Sequence, residues 1–270
     1  MAGLENEFMR EIVISDCERV EQTAPIARSY GVGLEATTFY DTNYLEEHPD
    51  GIAVYRHLTQ DIPYKSMHGP FTGLSTGVRD RAIREVTMRR YLEACDTAEQ
   101  LGIRDIVIHN NYYDYCAPKT VWLENTLAFF AELTKEIAGR NVCFHLENTL
   151  ERDGELISQV IRQTASEQLD LCLDVGHAQG MVHDGLPATE WVRRYGELIG
   201  HVHLHNNSGH RDDHRNINDG VIPMPEVLDL LERHSPNAVW CVECGLPWQD
   251  VTQSLEYLIK LGYLSGTGDA

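Results

Sequence analysis

Long hydrophobic runs are missing from this 270-residue sequence. None approaches the roughly 18 apolar residues that crossing a bilayer requires, so no membrane span is expected. The opening residues, Met1-Ala-Gly-Leu-Glu-Asn-Glu-Phe-Met-Arg10, also lack the apolar segment of a secretory signal. Basic residues are scarce, 22 against 42 acidic, for a formal net charge of -20. Such a field repels polyanions, which argues against nucleic acid as a partner and says little about a small sugar.

A disulfide framework is missing as well. The seven cysteines, at 17, 95, 116, 143, 172, 241 and 244, are odd in number and irregular in spacing. That pattern points to reduced thiols in a cytoplasm. Cys241-Val-Glu-Cys244 spells C-x-x-C, but no second pair accompanies it. Strand alternation sends its two thiols to opposite faces, so they read as buried filler. No G-x-G-x-x-G follows a strand, which leaves a dinucleotide-binding domain without support. No linker-like or low-complexity stretch divides the chain, and residues 1–270 read as one domain.

What is present is a repeated unit of short apolar strand, loop and amphipathic helix. Strands are expected at Arg10–Ser15, Val32–Tyr40, Tyr64–Phe71, Arg104–Asn110, Asn141–Asn148, Leu169–Val175, His201–Asn206 and Ala238–Glu243. Helices are expected at Cys17–Tyr30, Arg79–Gln100, Trp122–Ala138, Glu155–Glu167, Thr189–Leu198, Pro225–His234 and Val251–Leu261, with a looser stretch before the third strand. Strands alternating with helices need crossover connections and therefore a parallel sheet. At this length the pattern favours a single closed (β/α)8 TIM barrel, of the α/β class, over an open doubly wound sheet.

Barrel chemistry sits where the strands finish, and the strand ends here are unusual. The last inward-facing positions are His68 on the third strand, His109 on the fourth and Glu147 on the fifth. Asp174 follows on the sixth, with His177 just beyond it, then His203 with His205 as a further candidate on the seventh, and Glu243 on the eighth. A Gly/Asn/Ser break after His205 leads to Asp212-Asp-His214 in a loop. Taken singly, a strand histidine is more often a hydrogen-bonded core residue, and a strand-end aspartate more often caps a helix. Six consecutive strands ending in a metal-competent side chain call for a cation, because burying so many ionisable groups without one is costly. The cluster Tyr112-Tyr-Asp-Tyr115 after the fourth strand is expected to lid the mouth or to stack on a sugar or base.

These motifs resemble the xylose isomerase-like barrel superfamily, which includes sugar isomerases and epimerases and the endonuclease IV (AP endonuclease family 2) hydrolases. The resemblance rests on Met67-His-Gly-Pro70, Ile108-His109, His145-Leu-Glu-Asn148, Leu173-Asp-Val-Gly-His177, His203-Leu-His205, Asp212-Asp-His214 and Val242-Glu243, in this order. Resemblance to the epimerases implies one divalent metal, zinc or manganese foremost with magnesium or cobalt as alternatives. Its ligands would be Glu147, Asp174, His203 and Glu243. Glu147 and Glu243 would exchange a proton next to the sugar carbonyl, while His177 and, less firmly placed in its loop, Arg211 would bind substrate oxygens. Resemblance to the endonuclease IV branch adds His68, His109, His177, Asp212 and His214, for a multinuclear zinc phosphoesterase.

Against that hydrolase stand the acidic balance and the few basic residues in the loops after the strands, Arg79, Arg81, Lys119, Arg211 and Arg215. The expected activity is therefore a metal-dependent isomerase or epimerase of a small sugar or sugar phosphate, with the phosphoesterase as the alternative. The resemblance also brings in homo-oligomers, dimers or tetramers, without a residue that marks an interface.

Overall fold

Period-two alternation along the strands becomes an inside and an outside in the computed structural model of the chain, which describes residues 10–112, 118–181 and 184–266. Strands β1 (Ile12–Ser15), β2 (Gly33–Ala36), β3 (Lys65–His68), β4 (Asp105–His109), β5 (Cys143–Glu147), β6 (Leu169–Asp174), β7 (Ile199–Leu204) and β8 (Val239–Val242) pair in sequence order. All pairs are parallel, and β8 closes on β1. The helices are α1 (Val20–Tyr30), α2 (Tyr44–Glu47), α3 (Gly51–Leu58), α4 (Arg81–Leu101), α5 (Lys119–Glu136), α6 (Glu155–Thr164), α7 (Ala188–Tyr195), α8 (Met224–His234) and α9 (Trp248–Leu261). The molecule is a (β/α)8 TIM barrel, as the repeated unit implied. Among the described residues no helix is long and apolar enough to cross a membrane.

The main apolar core lies between sheet and helices. Outward strand residues such as Ile14, Leu34, Ile106, Leu146, Val202 and Trp240 are buried under helix residues such as Tyr91, Phe130, Trp191 and Leu255. Each fully buried side chain of this size contributes about 1.5–3 kcal/mol, so this layer holds the barrel together. Inside the barrel a small apolar cluster of Val13, Val239 and Cys241 has Tyr64 packed on it, and Val107, Cys143 and Cys172 are buried as well. Much of the remaining interior is polar and buried, including Glu35, Ser66, His145, Asp174, His201 and His203.

Two expectations about the elements are corrected. The second strand stops at Ala36 and does not run to Tyr40, and Thr38–Tyr40 forms a 3-10 turn. The buried Asp16 carboxylate accepts from the Thr37 amide (3.0 Å) and hydroxyl (2.6 Å), which bends the chain away from the sheet. The looser stretch before the third strand contains α2 and α3, and Tyr55 of α3 packs edge-on against Phe39 at 5.2 Å.

One irregularity sets the interior of β7. Leu171 pairs with Ile199 while Cys172 pairs with His201, so Gly200 is an extra residue, a β-bulge. The bulge flips the alternation: Ile199 packs outside, and His201 and His203 turn into the barrel. A Cβ on residue 200 would lie 2.1 Å from the Asp170 carboxylate and would have to displace the acid that pairs with His145.

Candidate metal centre

The β5–β8 strand ends bring four side chains to one point. The Nδ1 atom of His203, which is fully buried, faces three carboxylates from other strands. Glu243 Oε2 is 3.1 Å away, Glu147 Oε1 3.5 Å and Asp174 Oδ2 3.7 Å. Glu147 extends the cluster through its other oxygen, with His109 Nε2 at 3.2 Å and His68 Nε2 at 3.4 Å. A third group surrounds Asp212, with His214 Nε2 at 2.8 Å and His177 Nε2 at 3.3 Å from Oδ2, and His205 Nε2 at 3.6 Å from Oδ1. His205 also lies 3.1 Å from Asp174 Oδ1 and stacks on the His214 ring at 4.1 Å, so it joins the cluster that the sequence admitted it to only as a candidate.

Backbone contacts hold these rings in place. Nδ1 donates to a carbonyl in His68 (Gly69, 3.0 Å), His177 (Asn148, 2.8 Å) and His214 (Glu243, 2.8 Å). Each Nε2 is thereby turned toward the carboxylates, the orientation in which a cation between them would take its lone pair. On β6 the Asp174 amide donates to Asn148 Oδ1 (2.8 Å), and the Asp174 side chain accepts from the His177 amide (2.7 Å). A π-helical turn, His177–Met181, follows. Gly176 within Asp174-Val-Gly-His177 is required by packing, because a Cβ there would come within 1.9 Å of the His205 ring.

Would a cation suit these residues? Atoms about 2.0–2.2 Å from one tetrahedral cation lie roughly 3.3–3.6 Å from each other, close to the separations around His203 Nδ1 and Glu147 Oε2. Glu147 Oε2, His203 Nδ1, Asp212 Oδ1 and Glu243 Oε2 are buried without a hydrogen-bond partner. Orphaned oxygens and nitrogens aimed at shared points are what a divalent ion would satisfy, and the mixed imidazole and carboxylate donors suit zinc or manganese.

The electrostatics show how tightly these groups depend on one another. Burial raises the Glu147 carboxyl, but His109, His203 and His177 outweigh it and hold it well below the usual range. Asp174 behaves alike: burial opposes ionisation, and His177, His205 and His203 override it. Burial lowers His214, yet Glu243 and Asp212 push it up to about 10. His109 goes the other way, lowered by burial that Glu147 only partly offsets.

Other expected residues are placed differently. Arg211 is 78% exposed and pairs with Asp213 at 3.1 Å, outside the cluster. Arg215 pairs with the same aspartate at 3.2 Å and Arg81 with Glu85 at 2.7 Å, so three of the loop cations are already engaged. Tyr112 is buried against Trp122 (5.3 Å, edge-on), which is a packing role and no lid, while Tyr113 and Tyr115 lie outside the described residues. The aromatic wall at the mouth is instead Phe71, stacked on His109 at 4.0 Å, with Tyr40 stacked on it at 5.3 Å. Cys241 and Cys244 are both buried and free, as expected of filler.

Sequence reasoning missed Glu35. It is fully buried on β2, 2.9 Å from His201 Nε2 and 3.0 Å from His203 Nε2. The signal was Gly33-Leu-Glu-Ala36, a glutamate between two apolar residues at inward parity, hidden because the expected strand runs four residues past its true end at Ala36.

Comparison with known proteins agrees with the barrel fold. A family model described as a xylose isomerase-like TIM barrel matches residues 48–261. The protein MJ1311 of Methanocaldococcus jannaschii is 27% identical over 187 residues, 66% of this chain, and the match spans only 63% of that relative's length. Among solved structures, a D-tagatose 3-epimerase-like protein superposes with a TM-score of 0.78 at 22% identity, over 93% of this chain and 96% of that one. The TTHB071 protein of Thermus thermophilus, soaked with zinc chloride, gives 0.74 at 24% identity, over 97% and 100%.

Proposed function

Since the chain belongs to the xylose isomerase-like TIM barrel family, we propose that it is a divalent-metal-dependent isomerase or epimerase of a small sugar or sugar phosphate. The observation that carries this reading is the ring nitrogen of His203 facing Glu147, Asp174 and Glu243 from three other strands. A divalent ion held by these four would supply positive charge to the oxygens of an enediolate. One of Glu147 and Glu243 takes the proton from the carbon next to the sugar carbonyl, and the other returns one to the neighbouring carbon for isomerisation or to the opposite face of the same carbon for epimerisation. His177, its ring fixed by the Asn148 carbonyl, is left with Nε2 to hydrogen-bond a substrate hydroxyl. The wall of Phe71 and Tyr40 offers an apolar face to the C–H side of a sugar. The kinship in fold to a protein described as D-tagatose 3-epimerase-like supports this choice.

A second reading is favoured by one observation, the gathering of His68, His109, His177, Asp212 and His214 around the same carboxylates. That fuller set suits an endonuclease IV-like multinuclear zinc phosphoesterase. Against it, the loop cations Arg81, Arg211 and Arg215 are paired with acids, leaving little to grip a polyanion.

Metal content separates the readings. Protein purified without chelator or histidine tag is expected to hold about one divalent ion per chain for the isomerase and about three zinc ions for the phosphoesterase. Solvent deuterium should enter a ketose substrate, and Glu243→Gln should stop it. Cleavage of an abasic-site oligonucleotide, lost in His109→Ala, would instead select the hydrolase.

A further inference from the structure

Beneath the proposed ligands lies a buried layer that none of them explains. Glu35 on β2 is fully enclosed, and its carboxylate meets three groups. The Ser66 hydroxyl donates to Oε2 at 2.8 Å, His201 Nε2 lies 2.9 Å from the same oxygen, and His203 Nε2 lies 3.0 Å from Oε1. Glu35 Oε1 and His203 Nε2 make no aligned hydrogen bond, and each lies within contact distance of the other. A carboxylate without a proton can only accept, so its closeness favours the tautomer of the facing imidazole that carries its proton on Nε2. The opposite nitrogen, Nδ1, then presents a lone pair, and it is this atom that looks at Glu147, Asp174 and Glu243.

We propose that Glu35 is a positioning residue for the metal centre: it fixes the tautomer and the ring plane of His203, with Ser66 and His201 holding the carboxylate in turn. The inference rests on the metal-centre reading above. The bulge at Gly200 is part of the same device, since it turns both His201 and His203 toward Glu35. Outer-sphere carboxylates of this kind raise the basicity of the ligating nitrogen and resist its rotation. Replacing Glu35 by glutamine puts an amide N–H₂ within reach of His203 Nε2. An amide donor there favours the tautomer with the proton on Nδ1, which cannot ligate.

The test compares the wild type with Glu35→Gln, Glu35→Asp and Ser66→Ala. Zinc or cobalt affinity is read by competition with a chromophoric chelator, and the tautomer of His203 by nitrogen–proton NMR on metal-free protein. Glu35→Gln should bind about 10–100-fold more weakly with the same number of ions per chain, and its His203 should shift toward the Nδ1–H form. Glu35→Asp should recover part of the affinity. Ser66→Ala, a milder change that keeps the readout should Glu35→Gln fail to fold, should weaken binding in the same direction and by less.

Unchanged affinity together with an unchanged tautomer would overturn the inference. So would loss of one whole ion per chain with the remaining affinity intact, which would make Glu35, His201 and Cys241 ligands of a separate buried ion. A wild type that takes up no metal would defeat the metal-centre reading itself, and the tautomer measurement on metal-free protein keeps that outcome distinct.

Discussion

The two ends of the barrel interior carry the same residue types and treat them in opposite ways. At the floor, where the strands begin, His145 lies between two acids: Nε2 is 2.9 Å from Asp105 Oδ1, and Nδ1 is hydrogen-bonded to Asp170. Tyr64 donates to the other oxygen of Asp105, and Arg104 reaches Oδ1 at 2.7 Å. Each of these donors has an acceptor. At the mouth, imidazoles crowd around the carboxylates, yet Glu147 Oε2, Glu243 Oε2 and Asp212 Oδ1 remain orphaned. A cluster of acids and histidines does not by itself make a metal site. What separates the two ends is whether the protein has already used up their hydrogen-bonding capacity.

That contrast can be broken at several points. The largest effect is expected from Glu243→Gln at the mouth, which should lower turnover by about 100- to 10,000-fold, measured as deuterium wash-in, while thermal melting stays near wild type. A large loss of melting temperature with activity retained would place Glu243 with the floor and reverse the comparison.

Asp105→Asn should do the opposite. It leaves a buried histidine short of a charged partner and should cost about 3–5 kcal/mol in urea unfolding, with metal content unchanged. Gly176→Ala sits between the two behaviours. Forcing a methyl against His205 should cost about 1–3 kcal/mol of stability and weaken metal uptake as well. Equal metal affinity in that variant would remove His205 from the centre.

The smallest effect is a pH dependence confined to the floor. Burial lowers His145, but Asp170 and Asp105 more than offset this and raise it to about 10. A folded-state pKa above the unfolded one gives stability that is full below about 6.5 and lost as pH rises through about 10. The stability gap between the wild type and His145→Gln should therefore narrow as pH is raised from about 6 to about 10.5, followed by urea titration. A gap that widens would mean His145 is neutral in the folded protein.

Legibility from sequence followed the same division. His68, His109, Glu147, Asp174, His203 and Glu243 could be read because strand parity is local: the last inward position of a strand is countable once the strand is placed. Glu35 escaped because the end of β2 is set by Asp16, a residue that follows another strand, capturing Thr37. Arg211 was expected near substrate through the resemblance alone, and its partner Asp213 is a loop contact that spacing does not predict. The tyrosines after β4 were read for their chemistry, whereas Tyr112 was claimed by packing on Trp122.

By itself, then, the sequence determined the architecture and the residue types gathered at the mouth, since repeated strand–helix units allow few closed solutions and alternation assigns faces residue by residue. Only the tertiary structure decided which carboxylates are satisfied and which stay orphaned. That outcome depends on distances between strands far apart in the chain, on a bulge at Gly200 that rephases β7, and on the buried Glu35 that three other strand residues converge upon.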